Sequence, residues 1–197
     1  YNSVKDTSII NVKKGAPVIS WSNPSDIFYG TLLDSKQLNA TASVAGVFTY
    51  NPAAGSKLSA GDGQILTVTF VPTDAANYLS LIDTVYINVK KSTPIVSWAK
   101  PSDIYYGTKL SKAQLNATAD VPGTFAYTPA SGTLLNAGKD QKLMLSFTPA
   151  DGNYNTTSIV VNITVLKANP VIEWANPSDI VYGTLLGDKQ LNAKANH

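Results

Sequence analysis

The residues that could do chemistry are few, and most of them recur. The chain has one histidine, His197, which is its last residue, and it has no cysteine. A Ser/His/Asp or Cys/His set, which needs a base held beside its nucleophile, cannot be assembled from these residues. Paired carboxylates can act without histidine, but the 13 acidic residues are sparse, and most lie in turn-like stretches. Asp26, Asp103 and Asp179 each follow a Pro-Ser pair, and Asp74 and Asp151 recur in a second phrase. Calcium takes about six to eight oxygen ligands, with several carboxylates among them. No stretch is acid-rich enough for that, so these aspartates read as turn residues whose side chains bond to nearby backbone. The expectation is a protein that is not an enzyme, with no catalytic, metal or cofactor-binding residue.

Three other constellations carry a functional reading beside a structural one. Trp21, Trp98 and Trp174 recur in fixed phase with Tyr29, Tyr106 and Tyr182. They could line up as a carbohydrate-binding ladder, but the preferred reading is that the tryptophan seals a sandwich edge or a joint and the tyrosine precedes a turn glycine. Lys14, Lys91 and Lys167 recur with Asn39, Asn116 and Asn192, the residue types of an intramolecular isopeptide bond. The lysines fall at joints, where a solvated side chain is expected. Asn39-Ala-Thr41 and Asn116-Ala-Thr118 match the N-glycosylation pattern, which is frequent by chance in such sequence.

These residues are positioned by an internal repeat, the first thing to seek in any chain. The tryptophans are separated by 77 and 76 residues, and each opens one phrase: WSNPSDIFYGTLL, WAKPSDIYYGTKL and WANPSDIVYGTLL. QLNA follows at 37–40, 114–117 and 190–193. GVFTYNPAAG from Gly46 matches GTFAYTPASG from Gly123, and PTDAANY from Pro72 matches PADGNY from Pro149. The resulting divisions are a tail strand of a preceding repeat (1–14), two complete repeats (15–91 and 92–167) and the head of a following repeat (168–197). Further copies are expected on both sides. The end segments, cut from their partners, are expected to be poorly ordered or paired with another molecule.

Within a repeat the apolar pattern has period two, the mark of strands with one buried face. Leu66, Val68 and Phe70 alternate with threonines, as do Leu143, Leu145 and Phe147 with other residues. Val85, Ile87 and Val89 show the same pattern, and so do Val161, Ile163 and Val165. Pro122-Gly123 fits a type II turn with glycine at positive φ, and Gly61-Asp62-Gly63 marks another turn. Asp34 and Ser111 stand three residues before Gln37 and Gln114, as in a helix-start box, so one short helical turn is expected there. Asp74-Ala-Ala-Asn-Tyr78 and Asp151-Gly-Asn-Tyr154 are similar to a tyrosine corner, in which the hydroxyl bonds back to backbone. The fold class is all-β: tandem small immunoglobulin-like β-sandwiches of six or seven short strands each. Their short, proline-containing joints predict an extended rod.

The chain as a whole resembles the immunoglobulin-like MBG-type (YGX) repeat, found in tandem in very large bacterial surface and secreted proteins. The resemblance rests on YGTxL, QLNA, GxFxYxPAxG and PxDxxNY, and covers both complete repeats. It implies an extracellular location, on a bacterial cell surface or secreted, in an adhesin-like protein whose export signal lies outside this stretch. It brings no catalytic or binding residues. The expected role is a structural spacer whose partners are neighbouring repeats of the same chain. The alternative is that the repeats weakly bind glycan or another cell-surface ligand through avidity. A formal net charge of +2 with scattered charges gives no field for nucleic acid, and no apolar run suits membrane insertion.

Overall fold

The computed structural model describes residues 1–196; His197 lies outside the described residues. The chain is all-β and consists of tandem small β-sandwich repeats. In the first complete repeat the strands are β1 (Ile19–Ser20), β2 (Ile27–Phe28), β3 (Thr41–Ala42), β4 (Gly46–Asn51), β5 (Gly61–Pro72) and β6 (Leu81–Lys90). A four-stranded sheet has the order β2-β6-β5-β4, and β1 pairs with β3 in a small second sheet. The long hairpin is antiparallel, with Leu66 opposite Val85, while β2 joins β6 in parallel through Ile27 and Val89. The second repeat copies this plan with β7 (Val96–Ser97), β8 (Ile104–Tyr105), β9 (Thr118–Ala119), β10 (Gly123–Thr128), β11 (Gly138–Pro149) and β12 (Thr157–Leu166). Its sheets have the orders β10-β11-β12-β8 and β7-β9.

Alternating side chains on pleated strands build the two cores. Leu66, Val68 and Phe70 are fully buried, as are Leu143, Leu145 and Phe147, while their neighbours along the strand point outward. Val85, Ile87 and Val89 face Leu66 in the first core, and Ile163 and Val165 take that role in the second. Both cores are completed from outside the sheet by the phrases that follow β2 and β8, through Leu33 and Leu38 or Leu110 and Leu115.

By contact density the chain divides into two compact units. One comprises Tyr1–Ile95, Ala119–Thr124 and Thr148–Thr157; the other comprises Val96–Thr118, Phe125–Phe147 and Ser158–His197. The first unit therefore holds the whole first repeat together with the loop after β11. Within that unit Tyr1–Lys14 is exposed and forms no strand. In the other unit a short antiparallel pair, β13 (Ile172–Glu173) and β14 (Lys194–Ala195), repeats the β7–β9 pairing with every residue exposed.

Several local expectations need correction. Gly123 is not among the glycines with positive φ. Its counterpart Gly46 is glycine for space, because a Cβ there would sit 2.5 Å from the Phe70 ring and from the Val71 carbonyl. The glycines of the YGT phrase take the positive φ instead, at 98°, 97° and 89° for Gly30, Gly107 and Gly183. Thr31, Thr108 and Thr184 close these turns by donating to the carbonyls of Phe28, Tyr105 and Val181, each at 3.0 Å. Gly61-Asp62-Gly63 is no separate turn but a bulge at the start of β5, where register shifts between Gly61 and Gln64. A bulge leaves residues unpaired and bends the strand without ending it.

Phe147→Ala is expected to lower stability by about 3–5 kcal/mol, whereas Met144→Ala, on the outward face of the same strand, should change it by less than about 0.5 kcal/mol. Urea denaturation of both variants checks the register. Gly107→Ala should cost about 1–2 kcal/mol although no atom lies within 4 Å of the added carbon, because the backbone rather than space is at fault. Denaturation midpoints report this directly.

Candidate functional site

Two constellations gather the recurrent polar and aromatic residues. The first is internal to each repeat. The indole N–H of Trp21 donates to the Gln37 carbonyl at 3.0 Å, that of Trp98 to Gln114 at 2.9 Å, and that of Trp174 to Gln190 at 2.9 Å. The glutamine side chain turns back on its own loop: Gln37 Oε1 accepts from the Asp34 N–H, and Gln114 Oε1 from the N–H and hydroxyl of Ser111. This is the reciprocal bond of a helix-start box, and Leu38 and Leu115 close a single turn onto the carbonyls of Asp34 and Ser111. Tyrosines on β4 and β10 complete the set. Tyr50 Oη accepts the Ala40 N–H at 2.9 Å, and Tyr127 Oη accepts the Ala117 N–H at 3.0 Å. The rings of Trp98 and Tyr127 meet edge-on at 5.2 Å between centroids, as those of Trp21 and Tyr50 do at 5.4 Å.

The tryptophans of the complete repeats are therefore structural struts. Trp98 is only 8% exposed and Trp21 is half-buried. Trp174 carries the same hydrogen bond but is 57% exposed, because no sheet packs on it. The role of Tyr50 and Tyr127 is missing from the sequence reading. Their spacing of ten residues from the alanine of QLNA is the signal that was available.

The second constellation lies in the first compact unit and surrounds Tyr29. The Tyr29 hydroxyl donates to Asp151 Oδ2 at 3.3 Å, and its ring meets Tyr154 edge-on at 5.4 Å. Lys57 Nζ stands 4.9 Å from the Tyr29 ring centroid, within the range of a cation–π contact. The Ala60 N–H donates to Asn153 Oδ1 at 2.7 Å, and the Ser92 hydroxyl donates to the Tyr29 carbonyl. Ser92 also bridges in parallel to the loop, giving its N–H to Asn153 O and accepting from Asn155 N–H. The same bridge precedes the first repeat, where Gly15 bonds Asn77 O and Leu79 N–H in the same way. Lys14 adds a bond from Nζ to the Ala75 carbonyl.

This overturns the tyrosine-corner expectation. Among the described residues, neither the Tyr78 nor the Tyr154 hydroxyl bonds back to backbone. The loop engages the joint segment instead, through its own backbone and through the Asn155 side chain, which donates to the Lys91 carbonyl and the Thr93 hydroxyl.

Asp74 and Asp151 act as turn residues, but Asp26, expected to do the same, bonds side chains distant in sequence instead. Asp74 Oδ1 accepts the Asn77 N–H and Asp151 Oδ1 the Asn153 N–H. Asp26 pairs with Lys90 at 3.0 Å and accepts from Asn88. No counterpart of that pair exists in the second repeat, where Leu166 stands in place of Lys90. Among the described residues no group of three metal-ligating side chains comes together. Asn39, Asn116 and Asn192 donate to local carbonyls of Lys36, Ala113 and Lys189, and Lys14, Lys91 and Lys167 are exposed. No helix among the described residues is long and apolar enough to cross a membrane.

No family model matches the chain, and a search of curated proteins found no match to it.

Hydrogen bonds from the Asn153 backbone and side chain and from the Tyr29 hydroxyl, with the charge of Lys57, hold the Asp151 carboxyl below its ordinary value of 3.8. Desolvation opposes them. A depressed carboxylate contributes stability that is present above the unfolded pKa and is lost as pH falls through the folded one. The loop contacts should hold at neutral pH and weaken only below about pH 4. Tyr29→Phe should raise the Asp151 titration midpoint toward 3.8, which carboxyl-detected NMR would measure.

Proposed function

We propose that the chain is a stretch of structural spacer repeats, of the MBG type, from the stalk of a large adhesin-like protein exported to a bacterial cell surface or secreted. The observation that carries this reading is the use made of the recurrent residues. Trp98 and its counterparts bond their own QLNA loops, and the recurrent Asp-Asn-Tyr loop bonds the segment leading into its own repeat. Residues repeated for binding would be expected to present free faces, whereas these are consumed by folding and joining. An array of such repeats lengthens by adding copies, each contributing its own core and its contacts to neighbours. On this reading the protein has no catalytic role, and its partners are neighbouring repeats.

The test is a glycan-array and cell-binding screen of the chain in multimeric display, beside an unrelated β-sandwich. Binding no greater than the control is the expected result. Binding that disappears in a Tyr86→Ala, Tyr105→Ala double variant would make the repeats themselves the adhesive and sink the spacer reading. Those tyrosines are 51% and 60% exposed, so their removal should leave the fold intact.

A further inference from the structure

The constellation around Tyr29 has an unfilled counterpart in the other compact unit. A groove of about 400 Å³ is lined by Tyr106, Asn136, Ala137, Lys167, Ala168 and Pro170. With the 77- and 76-residue offsets of the repeat, these correspond to Tyr29, Ser59, Ala60, Lys91, Ser92 and Pro94. Tyr29, Ala60 and Ser92 of that set are the residues that hold Asp151, Asn153 and Tyr154. The backbone is set identically in both places: the Tyr106 N–H donates to the Leu166 carbonyl at 2.8 Å, as the Tyr29 N–H does to that of Lys90 at 2.8 Å. Occupancy is what differs. Tyr29 is half-buried and Pro94 is buried, whereas Tyr106 is 40% exposed and Pro170 is exposed. The position that matches Lys57 is Leu134. Lys57 bridges Leu32 in the first repeat, and in the second the same bridge joins Lys109 to Leu134, so the lysine has changed sides of one bridge.

We propose that this groove is the seat of the Asp-x-Asn-Tyr loop of a further repeat, whose asparagine side-chain oxygen would accept from the Ala137 N–H and whose tyrosine would lie against Tyr106. The inference deepens the spacer reading by naming the partner of each repeat's end. Its chemistry is a backbone amide, a tyrosine and a lysine receiving an acid, an amide and a second aromatic ring.

The test reads amide hydrogen exchange by NMR. In the chain as it stands, the Ala60 N–H should exchange at least about tenfold more slowly than the Ala137 N–H. The chain is then extended after residue 197 with residues 122–167, or in a second version with residues 45–91, each completing a third repeat. Burial of Trp174, now 57% exposed, reports folding of the addition through a blue shift of its fluorescence. The Ala137 N–H should then slow by about tenfold or more. In the first version, alanine in place of the added asparagine that copies Asn153 should restore fast exchange. A third repeat that folds and leaves Ala137 exchanging as before overturns the proposal, and so does failure of both versions to fold. Glycan binding would sink the spacer reading without altering Ala137 protection, so the two failures are distinguishable.

Discussion

The hydrogen bond from the Trp98 indole to the Gln114 carbonyl is the constraint on which the second repeat depends. A two-layer domain of this size has one large sheet and little to cover it. Here the cover is mostly irregular chain, which carries backbone groups that would be costly to bury unpaired. The indole satisfies one carbonyl, Gln114 Oε1 satisfies Ser111, and the Tyr127 hydroxyl satisfies the Ala117 N–H. With those groups paired, Leu110 and Leu115 can enter the core beside Leu143 and Leu145. The first repeat solves the same problem with the same residue types.

The joint follows from a second economy. The loop between β11 and β12 is short, polar and curled by its own aspartate. Its outward groups are therefore preorganised to meet the residues before its repeat. Ser92 makes a parallel bridge with the loop, and Gly15 makes the same bridge one repeat earlier. A connection closed by backbone bonds tolerates side-chain change, and glycine, serine and alanine do occupy this position at 15, 92 and 168. The exposed ion pair between Lys90 and Asp26 has no such standing. Surface pairs of this kind contribute little, and the second repeat does without it.

Much of this was legible in the chain itself. Period-two alternation placed every fully buried residue of β5 and β11 on the correct face, because side-chain direction on a strand is a matter of parity alone. The spacing of Gln37 from Asp34 announced the single turn, since the reciprocal bond is local. The errors fell on glycines, on Asp26 and on the corner tyrosines Tyr78 and Tyr154. Gly46 is needed because Phe70, distant in sequence, packs against it. Tyr154 meets Tyr29 rather than its own strand's neighbourhood. Neither contact has a local signature.

The clearest division lies between two nearly identical segments. YNSVKDTSIINVKK and YLSLIDTVYINVKK share their alternation and most of their residues. The second contains the ten-residue strand β6 at the centre of a sheet, with Val85, Ile87 and Val89 buried. The first is exposed and forms no strand. Sequence by itself determined the repeat, the strand faces, the single turn at QLNA and the scarcity of histidine and cysteine, all of which follow from residue type and local spacing. Tertiary structure decided which segment becomes a strand, which tyrosine accepts a hydrogen bond and which groove stands unfilled. A strand is stabilised by the backbone bonds and apolar area that its neighbours supply, and those neighbours are brought near only by folding.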